Sequence, residues 1–279
     1  VSRDVDSLTG NVHFDGSVVV RGNVREGFSV TAGVDLEVFG NAEGARIQAV
    51  RDVVLHGGVI GPTTQVEAGR DVRVRFVEQG ILTADRDILV GQYVLHGSLS
   101  ACGSILVQSR KGVLGGRLEA FDRIDTYTAG TPLGTRTHLV AGTHFRVRRQ
   151  LSATEQRIAE LEAQAAKIGG VIKGTMARYT RDGRPALPPE LRERMEKLLQ
   201  HYNRLVEESR VLDGRRTALE SLLRPQPSAT KGVVKVRGSA YPGVLVEIRG
   251  MRREILDEQK YVTFYLDGER GELTFGPYL

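Results

Sequence analysis

Along the first half of the chain the hydrophobic positions fall in short alternating pairs. One pair returns seven times, an aliphatic residue two positions before an alanine: Val30/Ala32, Ile47/Ala49, Val66/Ala68, Leu82/Ala84, Leu99/Ala101, Leu118/Ala120 and Leu139/Ala141. Successive alanines stand 16 to 21 residues apart. Alternation with period two is strand chemistry, because neighbouring side chains of a strand point to opposite faces. A second pair follows at a fixed phase behind a polar residue, as Asp35-Leu36-x-Val38, Asp52-Val53-x-Leu55, Asp71-Val72-x-Val74, Asp87-Ile88-x-Val90 and Ser104-Ile105-x-Val107. Glycines such as Gly33, Gly40, Gly57 and Gly69 mark corners between strands. The pattern predicts a parallel β-helix of about 16–21 residues per coil, with the alanines facing inward where a larger side chain would not fit.

Such a coil cannot stand alone. Burying three or four aliphatic side chains yields about 1.5–3 kcal/mol each, whereas fixing some eighteen backbones costs about 1–2 kcal/mol each. Stacking, which pairs both hydrogen-bonding edges of every coil, closes the gap. A β-sandwich spaces its strands similarly, but it has no need of the same residue types at the same phase in every repeat.

Near Arg146 the period changes. Leu151, Thr154, Ile158, Leu161, Ala165, Ile168, Ile172, Thr175 and Tyr179 are separated by alternating threes and fours, and so are Met195, Leu198, Tyr202, Leu205, Ser209, Leu212, Arg216, Leu219 and Leu223. These are heptad seams. The intervening stretch from Thr180 to Pro189 is too rich in glycine and proline to stay helical. Two helices of about thirty residues, each roughly 45 Å long, are expected to fold back as an antiparallel coiled-coil hairpin. Gly169, Gly170 and Gly174 weaken the first helix by about 1 kcal/mol each, so its distal half is the part expected to fray or bend. The seams pair with each other; the sharper alternative is that they also recruit a partner helix.

Pro225, Pro227 and Ser228 end the second helix, and alternation returns at Val234-x-Val236, Val244-x-Val246-x-Ile248, Val262-x-Phe264-x-Leu266 and Leu273-x-Phe275. The predicted organisation is mainly β with an α insertion: a parallel β-helix over 1–145, the hairpin over 146–226, and a C-terminal β segment over 227–279 that rejoins or caps the solenoid.

Charge adds one distinction. The chain carries 39 Lys+Arg against 34 Asp+Glu, yet residues 146–224 hold 17 basic and 11 acidic side chains, so the excess basicity belongs to the hairpin. Arg146, Arg148 and Arg149 at its root, with Arg178, Arg181 and Arg184 near its tip, form a candidate docking surface for an acidic protein, anionic membrane or nucleic acid. No stretch interleaves aromatic with basic residues as single-strand binders do, and no DNA-reading motif is present, so no specific nucleic acid is expected. No apolar run approaches the ~20 residues of a membrane helix. The lone Cys102 excludes an internal disulfide framework and fits a reducing compartment. Its position after Ala101 predicts a buried filler. A cytoplasmic location is the expectation, and a chain starting at Val1 rather than Met predicts a fragment with an upstream domain missing.

The residues give little chemistry. No His/Cys/Asp/Glu cluster has metal-ligand spacing, and no Walker loop, dinucleotide fingerprint or nucleophile elbow is present. No catalytic, metal or cofactor-binding residue is predicted. His56 and His96 share the string VLHG but occupy different phases of the repeat and are not expected to align. The repeated aspartates are read as backbone caps rather than as an acid/base array.

Several segments carry a family resemblance: Thr9-Gly10-Asn11-Val12, Ala68-Gly69-Arg70-Asp71-Val72, Gly130-Thr131-Pro132-Leu133-Gly134-Thr135-Arg136-Thr137 before the helices, and Arg237-Gly238-x-x-Tyr241-Pro242-Gly243-Val244 after them. In order and spacing the chain resembles the flagellar assembly protein A (FapA) family, with a more distant similarity to bactofilin-type β-helices. The resemblance implies a bacterial cytoplasmic protein with a right-handed β-helix interrupted by a coiled coil, without assigned enzymatic activity. It supplies no catalytic residues. Gly134, Thr135, Arg136, Thr137, Tyr241, Pro242 and Gly243 stand as a candidate interaction junction. The leading functional reading is a non-enzymatic scaffold for flagellar assembly or placement that binds protein partners through the β-helix and the basic arm. A self-assembling bactofilin-like filament is the alternative, and a carbohydrate-active enzyme, in a chain with no Trp, is third.

Overall fold

The computed structural model describes residues 1–181, 188–223, 232–268 and 270–278, with the backbone alone for 179–181. The chain divides into two compact units, Val1–Phe145 with Pro225–Leu279, and Arg146–Arg224.

In the first unit each strand pairs in parallel with the equivalent strands of neighbouring coils, and the repeats read in the sequence become straight columns. Phe14, Ala32, Ala49, Ala68, Ala84, Ala101, Ala120 and Ala141 are successive Cα partners, ending on Ile248. All seven repeat alanines are buried. After three of them the next residue is a glycine, Gly33, Gly69 and Gly142. There the coils approach so closely that a Cβ on Gly33 would sit 2.0 Å from the Asp15 carbonyl, and one on Gly69 equally close to that of Val50. The second repeated pair forms another ladder, in which Leu36, Val53, Val72, Ile88, Ile105, Ile124 and Val234 stack.

A third ladder lies outside the two repeated pairs of the sequence. It contributes one inward residue per coil, Val5, Val24, Ala42, Val59, Val77, Val94, Val113, Ala129 and Ala240 in turn. All are fully buried and belong to the same continuous core as the other two ladders.

Between the first two ladders the repeated aspartates form a polar column. The N–H of Asp52 donates to the Asp35 carboxylate at 3.2 Å, Asp71 to Asp52 at 3.1 Å, Asp87 to Asp71 at 3.3 Å and Ser104 to Asp87 at 2.7 Å. The expected capping role is thus met between coils rather than within one turn. Arginines preceding the aspartates reach back one coil, Arg51 to Asp35 and Arg70 to Asp52 at 3.6 Å each, and Arg86 to Asp71. The Arg86 guanidinium and the Asp87 N–H hold the Asp71 carboxyl below the ordinary carboxylate range, against the opposing pull of partial burial.

The C-terminal strands both rejoin and cap. Val233–Ala240 and Val244–Ile248 extend the ladders in parallel. Met251–Glu254, Gln259–Leu266 and Leu273–Pro277 then turn antiparallel, and the buried Phe264 lies opposite Val234. The chain leaves the solenoid and returns at adjacent points: a Cβ on Gly232 would lie 2.7 Å from the Cα of Gly142.

The second unit consists of α1 (Phe145–Arg181), apart from its first residue, and α2 (Pro189–Leu223). Pro189 opens α2 where no N–H is needed, and Glu190 complements the dipole of the first turn. Every predicted seam position with a described side chain is buried or half-buried. Leu161, Ala165 and Leu205 form the seam's core with Ile168, Tyr202 and Leu212 packed on it, and Arg157 bridges to Glu208 at 2.9 Å. These pairings run antiparallel. The helix α1 continues through Gly169, Gly170 and Gly174 without a break, although no described α1 side chain beyond Ala165 is fully buried.

Cys102 corrects the expectation of a buried filler. It stands half-exposed at the corner after Ala101, with Sγ 3.9 Å from Nδ1 of His144, because the inward position is already taken by the alanine.

Candidate functional site

The two junction segments, separated by more than a hundred residues in sequence, meet on successive coils. Gly134 and Gly243 both take positive φ, 74° and 84°, and a Cβ on Gly243 would be 2.7 Å from the Gly134 carbonyl oxygen. Thr131 Oγ1 and Thr135 Oγ1 are 2.6 Å apart. The buried Thr137 hydroxyl donates to the Thr135 carbonyl at 3.1 Å and accepts from the Gly115 N–H at 3.0 Å. Tyr241 ties its turn to the coil below through Ala129 at 2.9 Å, and the Gly243 N–H donates to Ile255 at 3.2 Å. Pro242 stands between them, half-exposed. These bonds hold the backbone of both turns and leave the Arg136 side chain exposed.

A groove of ≈ 450 Å³ opens here, lined by Gly116, Arg136, Thr137, His138, Gly243, Leu245 and Glu254. Arg136, Thr137 and Gly243 therefore contribute to one surface, together with residues the sequence did not single out. Beside it lies a charge cluster. Arg117 donates to Nδ1 of His138, Nε2 of His138 faces the buried Glu247 at 3.3 Å, and Arg252 binds Glu247 at 3.0 Å. Since a guanidinium only donates, Nδ1 is the acceptor and the ring carries its proton on Nε2. Burial and the Arg117 charge hold the His138 pKa below its ordinary value, outweighing the attraction of Glu247. This cluster was hidden because its members lie in four separate strands. Aligning coils on their alanines would have revealed part of it, since Arg117 and His138 share one column.

The basic candidate surface is not gathered in the same way. Arg146, Arg148 and Arg149 occupy the first turns of α1, while the exposed Arg178 lies about 45 Å further along the helix. The Arg181 side chain and Arg184 lie outside the described residues. His56 and His96 stand in separate columns, as expected: His56 stacks on Phe39 at 4.6 Å, whereas His96 lies against Gly115. Among the described residues no group of three His, Cys, Asp or Glu side chains could hold a metal. No described helix is long and apolar enough to cross a membrane.

Comparison with known families matches residues 1–273 to FapA, the Flagellar Assembly Protein A beta solenoid domain. Searches of curated proteins and of solved structures return no match.

Proposed function

The chain belongs to the FapA family, and from that premise we propose that it is a non-enzymatic cytoplasmic scaffold for flagellar assembly or placement, with protein partners docking at the junction groove. The observation that carries this reading is the convergence of Arg136, Thr137 and Gly243 on one groove wall. Rigid turns present a guanidinium beside a neutral, hydrogen-bonded histidine and the half-buried Leu245. The wall thus combines one apolar side chain, Leu245, with a cation and the Glu254 carboxylate, groups that a protein partner can meet by packing and by charge pairing. The basic helical unit supplies a second docking arm.

The test is complementation in a flagellated bacterium deleted of its own copy, using the full-length protein. Arg136→Glu is expected to reduce flagellation with an unchanged melting temperature. Normal flagellation by that variant would remove the groove from the reading. The bactofilin-like alternative is disfavoured by the C-terminal cap, whose outer strand Met251–Glu254 carries Arg252, Arg253 and Glu254 as charges that oppose edge pairing.

A further inference from the structure

The corner following the second strand ladder carries Arg21, Phe39, His56 and Arg75 on successive coils, as the neighbouring registers place them. The Arg21 guanidinium lies 5.2 Å over the Phe39 ring, and Phe39 stacks on His56 at 4.6 Å. Two coils beyond Arg75, Lys111 sits 4.9 Å over Tyr93, and the neighbouring Arg110 lies 5.8 Å over Tyr127 one coil further on. Aromatic and basic residues that are scattered along the chain are therefore interleaved in space.

Acidic groups near this ridge are already engaged. Glu37 bonds His56 at 2.8 Å, Glu78 accepts from the Tyr93 hydroxyl at 2.6 Å, and Asp125 pairs with Arg237 at 2.9 Å. Arg21, Arg75, Arg110 and Lys111 remain as exposed cations. They span five rungs, about 24 Å at the usual strand spacing. Cation–aromatic stacking holds three of them in place, which lowers the entropic cost of meeting an anionic partner.

We infer that this ridge is a docking edge for an anionic lipid surface. Two features select a membrane over a nucleic acid strand. The rings are already faced by neighbours, Phe39 by Arg21 and His56, Tyr93 by Phe76 at 5.5 Å and by Lys111, and Tyr127 by Arg110, so a base competes for faces that are taken. A solenoid corner is convex, and a convex row of cations meets a plane rather than enclosing a strand. Phe39, 42 % exposed, supplies the apolar edge that interfacial binding uses.

The test is co-sedimentation of the full chain with phosphatidylserine-containing and with purely phosphatidylcholine vesicles, alongside the variants Arg21→Gln, Arg75→Gln and Lys111→Gln. Binding is expected only to the anionic vesicles and to weaken with salt. Each substitution is expected to lower the partition coefficient about five-fold, and the three together about a hundred-fold, with circular dichroism unchanged. Equal binding to neutral vesicles, or retained binding by the triple variant, overturns the inference. So does binding lost on Arg148→Gln/Arg149→Gln while the triple variant still binds, which would place the contact on the helical arm. Binding of a single-stranded oligonucleotide with the same variant sensitivity, without vesicle binding, would replace the lipid by nucleic acid.

Discussion

At the scale of single residues, size and charge at fixed phases decide the outcome. Ala84 is fully buried between Ala68 and Ala101, so Ala84→Glu forces an unpaired carboxylate into a packed column. We expect a loss of about 4 kcal/mol in urea unfolding; a variant with wild-type stability would show the column to be wrongly assigned. His138 gives a pH signature of known sign. Its folded pKa lies below the unfolded value of about 6.5, so below pH ~6.5 the unfolded chain takes up a proton that the folded one refuses. Stability is complete above that pH and falls as acid is added. His138→Gln is expected to flatten the melting-temperature profile between about pH 7 and 5 relative to wild type. The alanine and aspartate columns were legible in sequence because one residue type recurs at one phase. The His138 cluster was not, because Arg117, His138, Glu247 and Arg252 differ in type and meet only when coils stack.

Among elements, the contrast lies between ladders with two inward residues per coil and the ladder with one. Leu36-x-Val38 announces itself by alternation, whereas the third ladder contributes single residues such as Val59 and Val94, which recur every 16 to 19 residues up to Ala129 but have no alternating apolar partner to set them apart from their neighbours. The seams of α1 and α2 were readable position by position, since 3.5-residue spacing survives any loop. What spacing could not give is the strength of each turn. A Cβ on Gly170 would meet no heavy atom within 4 Å, so Gly170→Ala is expected to stabilise the helical unit by about 1 kcal/mol, read as a rise in its helical melting transition. Leu161→Ala, in the seam's core, is expected to cost about 2–5 kcal/mol of the same transition. If both substitutions leave helical melting untouched, the seam is not what holds the pair together.

For the molecule as a whole, the sequence order β, α, β hides a simpler partition. The strands on either side of the helices form one hydrophobic core, with Val234 and Val246 in the same cluster as Val30 and Leu82. Replacing residues 150–226 with a short flexible linker is accordingly expected to leave a folded, cooperatively melting β unit, detected by its strand circular dichroism, while docking that depends on the arm disappears. Loss of the strand signal would mean that the helices are required for the solenoid to form.

The meeting of Gly142 and Gly232 has a practical corollary. A chain that departs and returns through neighbouring atoms makes that spot a natural splice site, at which one cargo can be exchanged for another without altering the winding on either side. Any guest domain whose own ends lie close together, such as a fluorescent reporter, should be accepted there, turning the protein into a carrier whose passenger can be chosen freely.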